Sequence, residues 1–328
     1  MNYGRIIRRL GLYGMNKTVT VIVPAYNEAE CLLELSTRLK SVFDNETKYD
    51  FNVILVENGS SDNTYEISKD ITKVDKRFSV IKLSKNFGMD GALTAGLDQI
   101  DSNACIFMSA DLQDPPELIH DFLRLWEQGW ENIYGIVTSR KSSNIFRRIN
   151  TKLFYSILHL VSDTPIPKNV SDFRLLDKKV YVVVKEMKER NRFLRGINAW
   201  LGFKSIGIKF IRPKRFAGKS KAFTGHVIDL AMKGIFANSI KPLRLISLIG
   251  VVISIISILV IFILTFFWIY RGVPFAGFGS IIATILLLFS LLFLMMGILS
   301  EYLGLVYKEV RQRPNYVISE KFDHNTHF

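Results

Sequence analysis

Acidic residues are in short supply in this 328-residue chain, where 30 Asp and Glu stand against 43 Lys and Arg, a formal net charge of +13. Cysteine is scarcer still. Cys31 and Cys105 are the two present, both in apolar surroundings and without metal-ligand spacing. That excludes a disulfide scaffold and a thiolate metal site, and it fits a reducing compartment. No internal repeat or low-complexity stretch occurs, which excludes a solenoid. The first fifteen residues carry Arg5, Arg8 and Arg9 but no long apolar stretch, so they are not a secretory signal. Residues 1–17 read either as a basic arm or, in part, as the product of an early start, with Met15 the alternative first residue. No nucleic-acid motif accompanies the basic excess. Arg147, Arg148, Lys152, Arg212, Lys214, Arg215, Lys219 and Lys221 instead crowd into segments that suit anionic headgroups and phosphate ligands, and nucleic acid is not an expected partner.

Charge is absent altogether from Leu245–Tyr270 and Gly272–Ser300, in a chain that is 48% hydrophobic. A helix rises about 1.5 Å per residue, so about 20 residues cross a bilayer core. The spacing predicts two transmembrane helices within 244–307, separated at Arg271-Gly272-Val273-Pro274. Lys233, Lys241 and Arg244 precede the pair, and Lys308, Arg311, Arg313 and Lys321 follow it. The excess of positive charge on these flanks places the large N-terminal region and the tail, 308–328, on the cytoplasmic side. Gly250, Gly297 and Gly304 suit helix packing, which leaves the oligomeric state open.

Before the spans, short apolar runs alternate with helical patterns. Val19–Pro24, Phe51–Val56, Phe78–Leu83, Ala104–Met108 and Ile133–Thr138 read as strands. Leu32, Leu35, Leu39, Val42 and Phe43 share one helical face, Asp62 or a neighbour can cap a second helix, and Ala92, Ala95 and Leu97 lie on a third. Strands alternating with helices predict an α/β fold with a mostly parallel sheet. Polar clusters fall at the carboxyl end of strand after strand, where open α/β sheets bind ligands. The cluster Ser109-Ala110-Asp111-Leu112-Gln113-Asp114-Pro115-Pro116-Glu117 supplies hard oxygen donors that suit Mg²⁺ or Mn²⁺ holding a phosphate. Its prolines start a helix, with Asp114 read as the N-cap. Beyond Thr138, Ile145, Ile149, Leu153, Ile157 and Leu160 recur at helical spacing. This helix, near 144–161, either lies on a membrane surface or packs on the sheet. A juxtamembrane helix is expected over 224–243.

Seven segments in order, from PAYNE at 24–28 through ENGSSDNT at 57–64, SKNFGMDGALTAGLD at 84–98, SADLQDPPE at 109–117, SDFRLLD at 171–177 and RFLRG at 192–196 to RPKRFAGKSK at 212–221, are followed by the apolar spans. This pattern resembles the polyprenyl-phosphate glycosyltransferases, an inverting GT-A group that includes dolichol-phosphate mannose synthase-like and bacterial undecaprenyl-phosphate glucosyltransferase-like enzymes. The resemblance implies a GT-A catalytic domain over 18–223. It also implies a UDP-sugar donor, a polyprenyl phosphate acceptor and the bacterial inner membrane as location. Further partners compatible with it are a second copy, a flippase and a downstream glycosyltransferase. By position it assigns Pro24, Ala25, Tyr26, Glu28, Glu57, Asn58, Gly59, Gly88, Asp90 and Asp111 to the nucleotide, and Arg215 and Lys221 to the diphosphate. Asp172 takes the place of a candidate base. Arg174, with Arg140, is the candidate grip on the acceptor phosphate.

One departure stands out. The family often carries Asp-x-Asp where this chain has Ser109 and Asp111. Read as an extended segment, positions 109, 111 and 113 share a face, leaving Asp111 and Gln113 as the metal ligands for Mg²⁺ or Mn²⁺. Ser109 and Asn58 favour an alternative, a non-catalytic sugar-nucleotide-binding accessory of a flippase. Asp111, Asp172, Arg215 and Lys221 argue for transfer. The donor sugar stays open between a hexose and an aminosugar, N-acetylhexosamine or aminoarabinose.

Overall fold

The computed structural model describes residues 16–138, 169–190, 192–213, 216, a scatter of positions between 243 and 271, and 277–323. The N-terminal arm, the helix near 144–161, most of the juxtamembrane helix, Arg140, Arg215 and Lys221 lie outside the described residues. The chain divides into two compact units. One comprises 1–148, 166–222 and 313–328; the other comprises 149–165 and 223–312.

In the first unit the five expected strands form, as β1 (Lys17–Ala25), β2 (Tyr49–Glu57), β3 (Phe78–Leu83), β4 (Ala104–Phe107) and β5 (Asn132–Val137). Three more join them: β6 (Val170–Asp177), β7 (Ser205–Phe210) and β8 (Ile318–Phe322). The single eight-stranded sheet has the order β7-β5-β6-β4-β1-β2-β3-β8. Parallel ladders join β1 to β2 and β4, β2 to β3, and β5 to β7. Antiparallel ladders join β6 to β4 and β5, and β8 to β3. Central β1 is buried on both faces along Val19–Ala25, as a parallel strand covered by two helix layers must be.

Alternate residues of the strands point into two cores. Val19, Val21 and Val23 meet α1 (Ala29–Asn45), α2 (Thr64–Val74) and α4 (Ile119–Glu127). Ile22, Ile54 and Phe107 meet α3 (Gly88–Leu97), α5 (Lys178–Glu186) and α6 (Leu194–Trp200) on the other side. Gly96 lets α3 approach β1, because a Cβ there would stand 2.4 Å from Cγ2 of Ile22. The helix that follows the acidic segment begins as a 3₁₀ turn at Pro116–Leu118. Its N-cap is Pro115 and no side chain caps it, so Asp114 is not the cap that the sequence suggests. The helix after β2 has Asn63, the neighbour of Asp62, at its N-cap position, within what the sequence allows, and Asp62 accepts from the Thr64 N–H at 3.0 Å.

The segment 308–328, read as a tail, completes the sheet. Its β8 pairs with β3 in the register Val80↔Phe322, Ile81↔Lys321 and Lys82↔Glu320. Tyr65 donates to Glu320 at 2.6 Å and Lys82 pairs with the same carboxylate at 3.3 Å. Tyr316 donates to Asp98 at 2.8 Å, fastening the approach to β8 onto the end of α3.

In the second unit, α7 (Phe278–Arg311) is a 34-residue helix. Within it Leu287–Arg311 is long and apolar enough to cross a membrane, with mean hydropathy 1.9 and none of that window buried. The helix overlaps the expected Gly272–Ser300 span over 278–300. The described residues between 243 and 271 are helical, with Leu248, Ile255, Leu259, Phe262 and Phe266 among those exposed.

Removing the Tyr316 hydroxyl leaves Asp98 without that donor, a loss of about 0.5–1.5 kcal/mol. Since 1 kcal/mol moves Tm by about 2–4 °C in a domain of this size, Tyr316→Phe is expected to lower the thermal unfolding midpoint of the full-length protein by a few degrees. An unchanged midpoint would show that the strap contributes nothing.

Candidate active site

Beyond the carboxyl ends of the parallel strands, hydrogen bonds lace together the loops after β1, β2 and β3, while the turn after β4 is tied to β6 and to the exit of β7. After β1, Asn27 adopts a left-handed φ of 52°. Its N–H donates to Ser60 at 2.9 Å, and its side-chain oxygen accepts from the Ser61 N–H at 2.8 Å. The Glu28 N–H donates to Thr64 at 3.0 Å. The loops after β1 and β2 therefore hold each other, and the Ala25 carbonyl adds to this junction by accepting from the Asn58 N–H at 2.9 Å. Glu57 is 1% exposed and accepts from the Ser60 N–H, closing its own turn.

Asn58 joins the second loop to the third. Its amide donates to Asn86 at 3.3 Å and to the Gly88 carbonyl at 3.1 Å, and it accepts from the Phe87 N–H at 2.9 Å. Gly59 sits at φ +70°, and a Cβ on it would lie 2.5 Å from the Lys85 carbonyl carbon. Only glycine fits this crossing. Gly88, at φ +77°, starts α3, and Asp90 in its first turn accepts from the Leu194 N–H at 3.1 Å. Asn58, Gly59 and Asp90 thus form part of the scaffold that positions the loops.

The acidic segment after β4 is a compact turn rather than the extended stretch expected. Leu112 takes a left-handed φ of 58° and reverses the chain. Asp111, 8% exposed, accepts at Oδ1 from the Ser109 hydroxyl at 2.9 Å and from the Gln113 N–H at 3.1 Å. Alternation along a strand therefore does not relate 109, 111 and 113. The turn brings Asp111 and Gln113 together by another route, through the hydrogen bond from the Gln113 backbone to Asp111.

Asp114 is the centre of this region. It is 2% exposed. Its Oδ2 accepts from the Ser109 N–H at 3.1 Å and from the Ser109 hydroxyl at 2.7 Å. Its Oδ1 accepts from the Ser171 hydroxyl at 3.2 Å and from Nη2 of Arg212 at 3.0 Å. A buried carboxylate needs donors in place of the water it has lost; here they come from three segments of the chain.

β6 runs antiparallel to β4 with Phe107 opposite Arg174, which carries Ser171 and Asp172 beside the acidic turn. Ser171 serves Asp114. Asp172, on the opposite face of the strand, is clamped by Arg195, Nε to Oδ1 at 3.0 Å and Nη2 to Oδ2 at 2.6 Å. Burial pushes the Asp172 carboxyl up, but Arg195, with Arg174 and Arg212, outweighs burial and holds it below the usual carboxylate range. Arg174 is 3% exposed and donates to the Ser171 carbonyl at 3.2 Å. Burial pushes its guanidinium down to about 10, against the opposing pull of Asp172. Asp172 is thus ionised and paired at neutral pH, the state of an orienting carboxylate. Two signals point to this cluster in the sequence, Asp172 and Arg174 at alternate places in an otherwise apolar strand, which cannot stand there unpaired. Its main partner, Arg195, is invisible until α6 folds against β6.

For a divalent metal the donors present on the acidic turn are an aspartate carboxylate and a glutamine amide carbonyl. Among the described residues no group of three or more His, Cys, Asp and Glu could hold an ion. Asp111 and Gln113 fit Mg²⁺ or Mn²⁺ in the manner of sites that keep several waters and rely on substrate phosphates.

A sheet of this order, with polar loops at its carboxyl ends, places its crevice where open α/β sheets bind ligands. The pattern of Glycosyl transferase family 2 matches residues 20–184, and the chain belongs to that family. It is 36% identical over 303 residues to the glycosyltransferase YkcC of Bacillus subtilis, covering 92% of this chain and 94% of that one. A glycosyltransferase of Synechocystis is 35% identical over 93% of this chain and 96% of its own length. The SfII prophage-derived bactoprenol glucosyl transferase of Shigella flexneri is 31% identical, over 92% of this chain and 97% of its own.

Two outcomes test this geometry. Gly59→Ala, which meets both the φ penalty and backbone atoms of the third loop, is expected to cost at least about 1–3 kcal/mol of stability, read as a lowered Tm; a neutral effect would refute the close crossing. Asp172 has a depressed folded-state pKa, so its stabilisation is present above the ordinary carboxylate pKa and is lost as pH falls through the depressed value. Arg195→Met is therefore expected to be less stable than the wild type at pH 7, with the deficit shrinking below about pH 4. A deficit in Tm that stays constant from pH 7 to pH 3 would contradict the ion pair.

Proposed function

We propose that this glycosyltransferase moves a sugar from a UDP-sugar to a polyprenyl phosphate at a membrane surface, with inversion at the anomeric carbon. The observation that carries the reading is similarity over 302 residues, 92% of this chain, to the Shigella bactoprenol glucosyl transferase, a match too long to be confined to the catalytic domain. The acceptor chain is held by the bilayer, and α7 gives the protein a segment able to enter the same phase. The two-span arrangement, with both termini cytoplasmic in the bacterial inner membrane, belongs to this proposal.

The division of labour follows from the chemistry of the two phosphates. A phosphate monoester has its second pKa near 6, so the acceptor oxygen is already a nucleophile at pH 7. A strong base is not required, which agrees with Asp172 being locked to Arg195. Its part is to orient Arg195 and to balance Arg174, and these cations, with Arg140, grip the acceptor. The larger tasks are alignment and stabilisation of the departing diphosphate. Asp111 and Gln113 would hold the divalent cation, which when bound offsets the charge of the leaving diphosphate; Arg215 and Lys221 add cationic donors from the segment after β7. Ala25, Tyr26, Glu28 and Glu57 fall to the base and ribose.

The test is transfer of radiolabel from a panel of UDP-sugars to undecaprenyl phosphate, using membranes that contain the protein. One donor is expected to label the lipid fraction in a metal-dependent way. Asp111→Asn is expected to reduce transfer by roughly 100-fold, the scale for loss of a preorganised transition-state contact, and to weaken metal activation. UDP binding with no metal dependence, and no label reaching lipid from any donor, would sink the proposal in favour of the non-catalytic accessory that Ser109 suggests.

A further inference from the structure

Arg212 is tied down by one corner of its guanidinium. Its Nη2 donates to Asp114 at 3.0 Å and to the Ser171 hydroxyl at 3.1 Å. Its Nε is buried, yet has no hydrogen-bond partner among the described residues. The side chain as a whole is 28% exposed, so the group is neither sealed in the core nor free in solvent. It also lies close enough to Asp172 to help hold that carboxyl below its usual range. A buried donor without an acceptor is costly and rare, and it calls for a partner that arrives later. A guanidinium only donates, so that partner must be an acceptor, and an anionic oxygen makes the strongest bond with it.

We propose that Arg212 is a binding residue for the donor diphosphate, with Asp114 and Ser171 fixing its guanidinium and the Nε–H left to take a phosphate oxygen. The inference rests on the sugar-nucleotide reading above and adds a residue to it. Position supports the anion being a phosphate of the donor. The carboxylate that tethers Arg212 also accepts from Ser109, whose hydroxyl holds Asp111. One buried carboxylate thus sets the distance between the oxygen donors of the acidic turn and a cation on the segment after β7. A diphosphate needs that pairing, cation-ligating oxygens on one side and a fixed guanidinium on the other. Arg212 would be in place before the ligand, so little side-chain entropy is lost on binding.

The test compares UDP, uridine and inorganic pyrophosphate by titration calorimetry on the full-length protein in detergent with Mg²⁺ present. Arg212→Gln is expected to weaken UDP and pyrophosphate binding roughly ten-fold or more, the scale for a hydrogen bond to a charged group, and to leave uridine binding unchanged. Arg212→Lys, which keeps the charge but not the fork, is expected to fall between. Should Arg212→Gln fail to fold, the Lys variant carries the same comparison. Equal losses for UDP and uridine would mean a purely structural role and overturn the inference, as would unchanged UDP affinity. If the wild type binds pyrophosphate through Arg212 but no UDP, the inference stands while the UDP-donor reading falls. If it binds UDP and Arg212→Gln does so equally well, the reading stands and the inference falls. If the wild type binds neither ligand, both fall.

Discussion

A buried carboxylate constrains this site more than any other group. Asp114 is cut off from water, and the Ser109 backbone, two hydroxyls and a guanidinium supply donors in its place. Removing one partner of a buried ion pair costs about 3–5 kcal/mol, a large share of a domain's net stability. The donors come from the turn after β4, from β6 and from the exit of β7, so each of those segments is located by the same requirement. By contrast, the pairs on the surface, such as Lys73 with Asp70, are exposed on both partners and contribute little. The number of ion pairs says little about this protein; the depth of one of them says a good deal.

The antiparallel strand β6 then distributes polar chemistry to both faces of the sheet. Ser171 serves the carboxylate network on one side, and Asp172, the next residue, serves the arginine pair on the other. A period of two makes adjacent residues of a strand face opposite ways. It is this simple geometry that separates the Asp114 network from the Asp172–Arg195 pair while keeping them one residue apart.

What was legible in the sequence was what is local. The first five strands, the amphipathic α1 and the ends of the parallel strands follow from continuous apolar runs and helical spacing. β6 escaped because Asp172 and Arg174 interrupt its apolar pattern, and those charges make sense only beside Arg195. β8 escaped because Ile318-Ser319-Glu320-Lys321-Phe322 reads as polar tail until β3 lies next to it. Asp114 was misread as a helix cap because an aspartate before two prolines has that local signature. The pull of Ser171 and Arg212, 57 and 98 positions away, outweighs it. The assumption of an extended acidic segment failed at Leu112, whose left-handed backbone no residue-type preference foretells. Asp111 and Asp172 were legible as charged residues in suggestive places; their partners were not, because partnership belongs to three-dimensional space.

The closing of the sheet by β8 has a consequence for how the molecule comes into being. The edge of β3 is covered by the last strand in the chain, and that strand follows the apolar helix α7. Synthesis at roughly 5–20 residues per second leaves β3 with an unpaired edge for tens of seconds. The catalytic sheet is finished only after α7 has left the ribosome. A chain whose synthesis stops short of β8 would therefore carry an incomplete sheet with an adhesive edge, so biosynthesis itself ties completion of the sheet to production of the apolar helix.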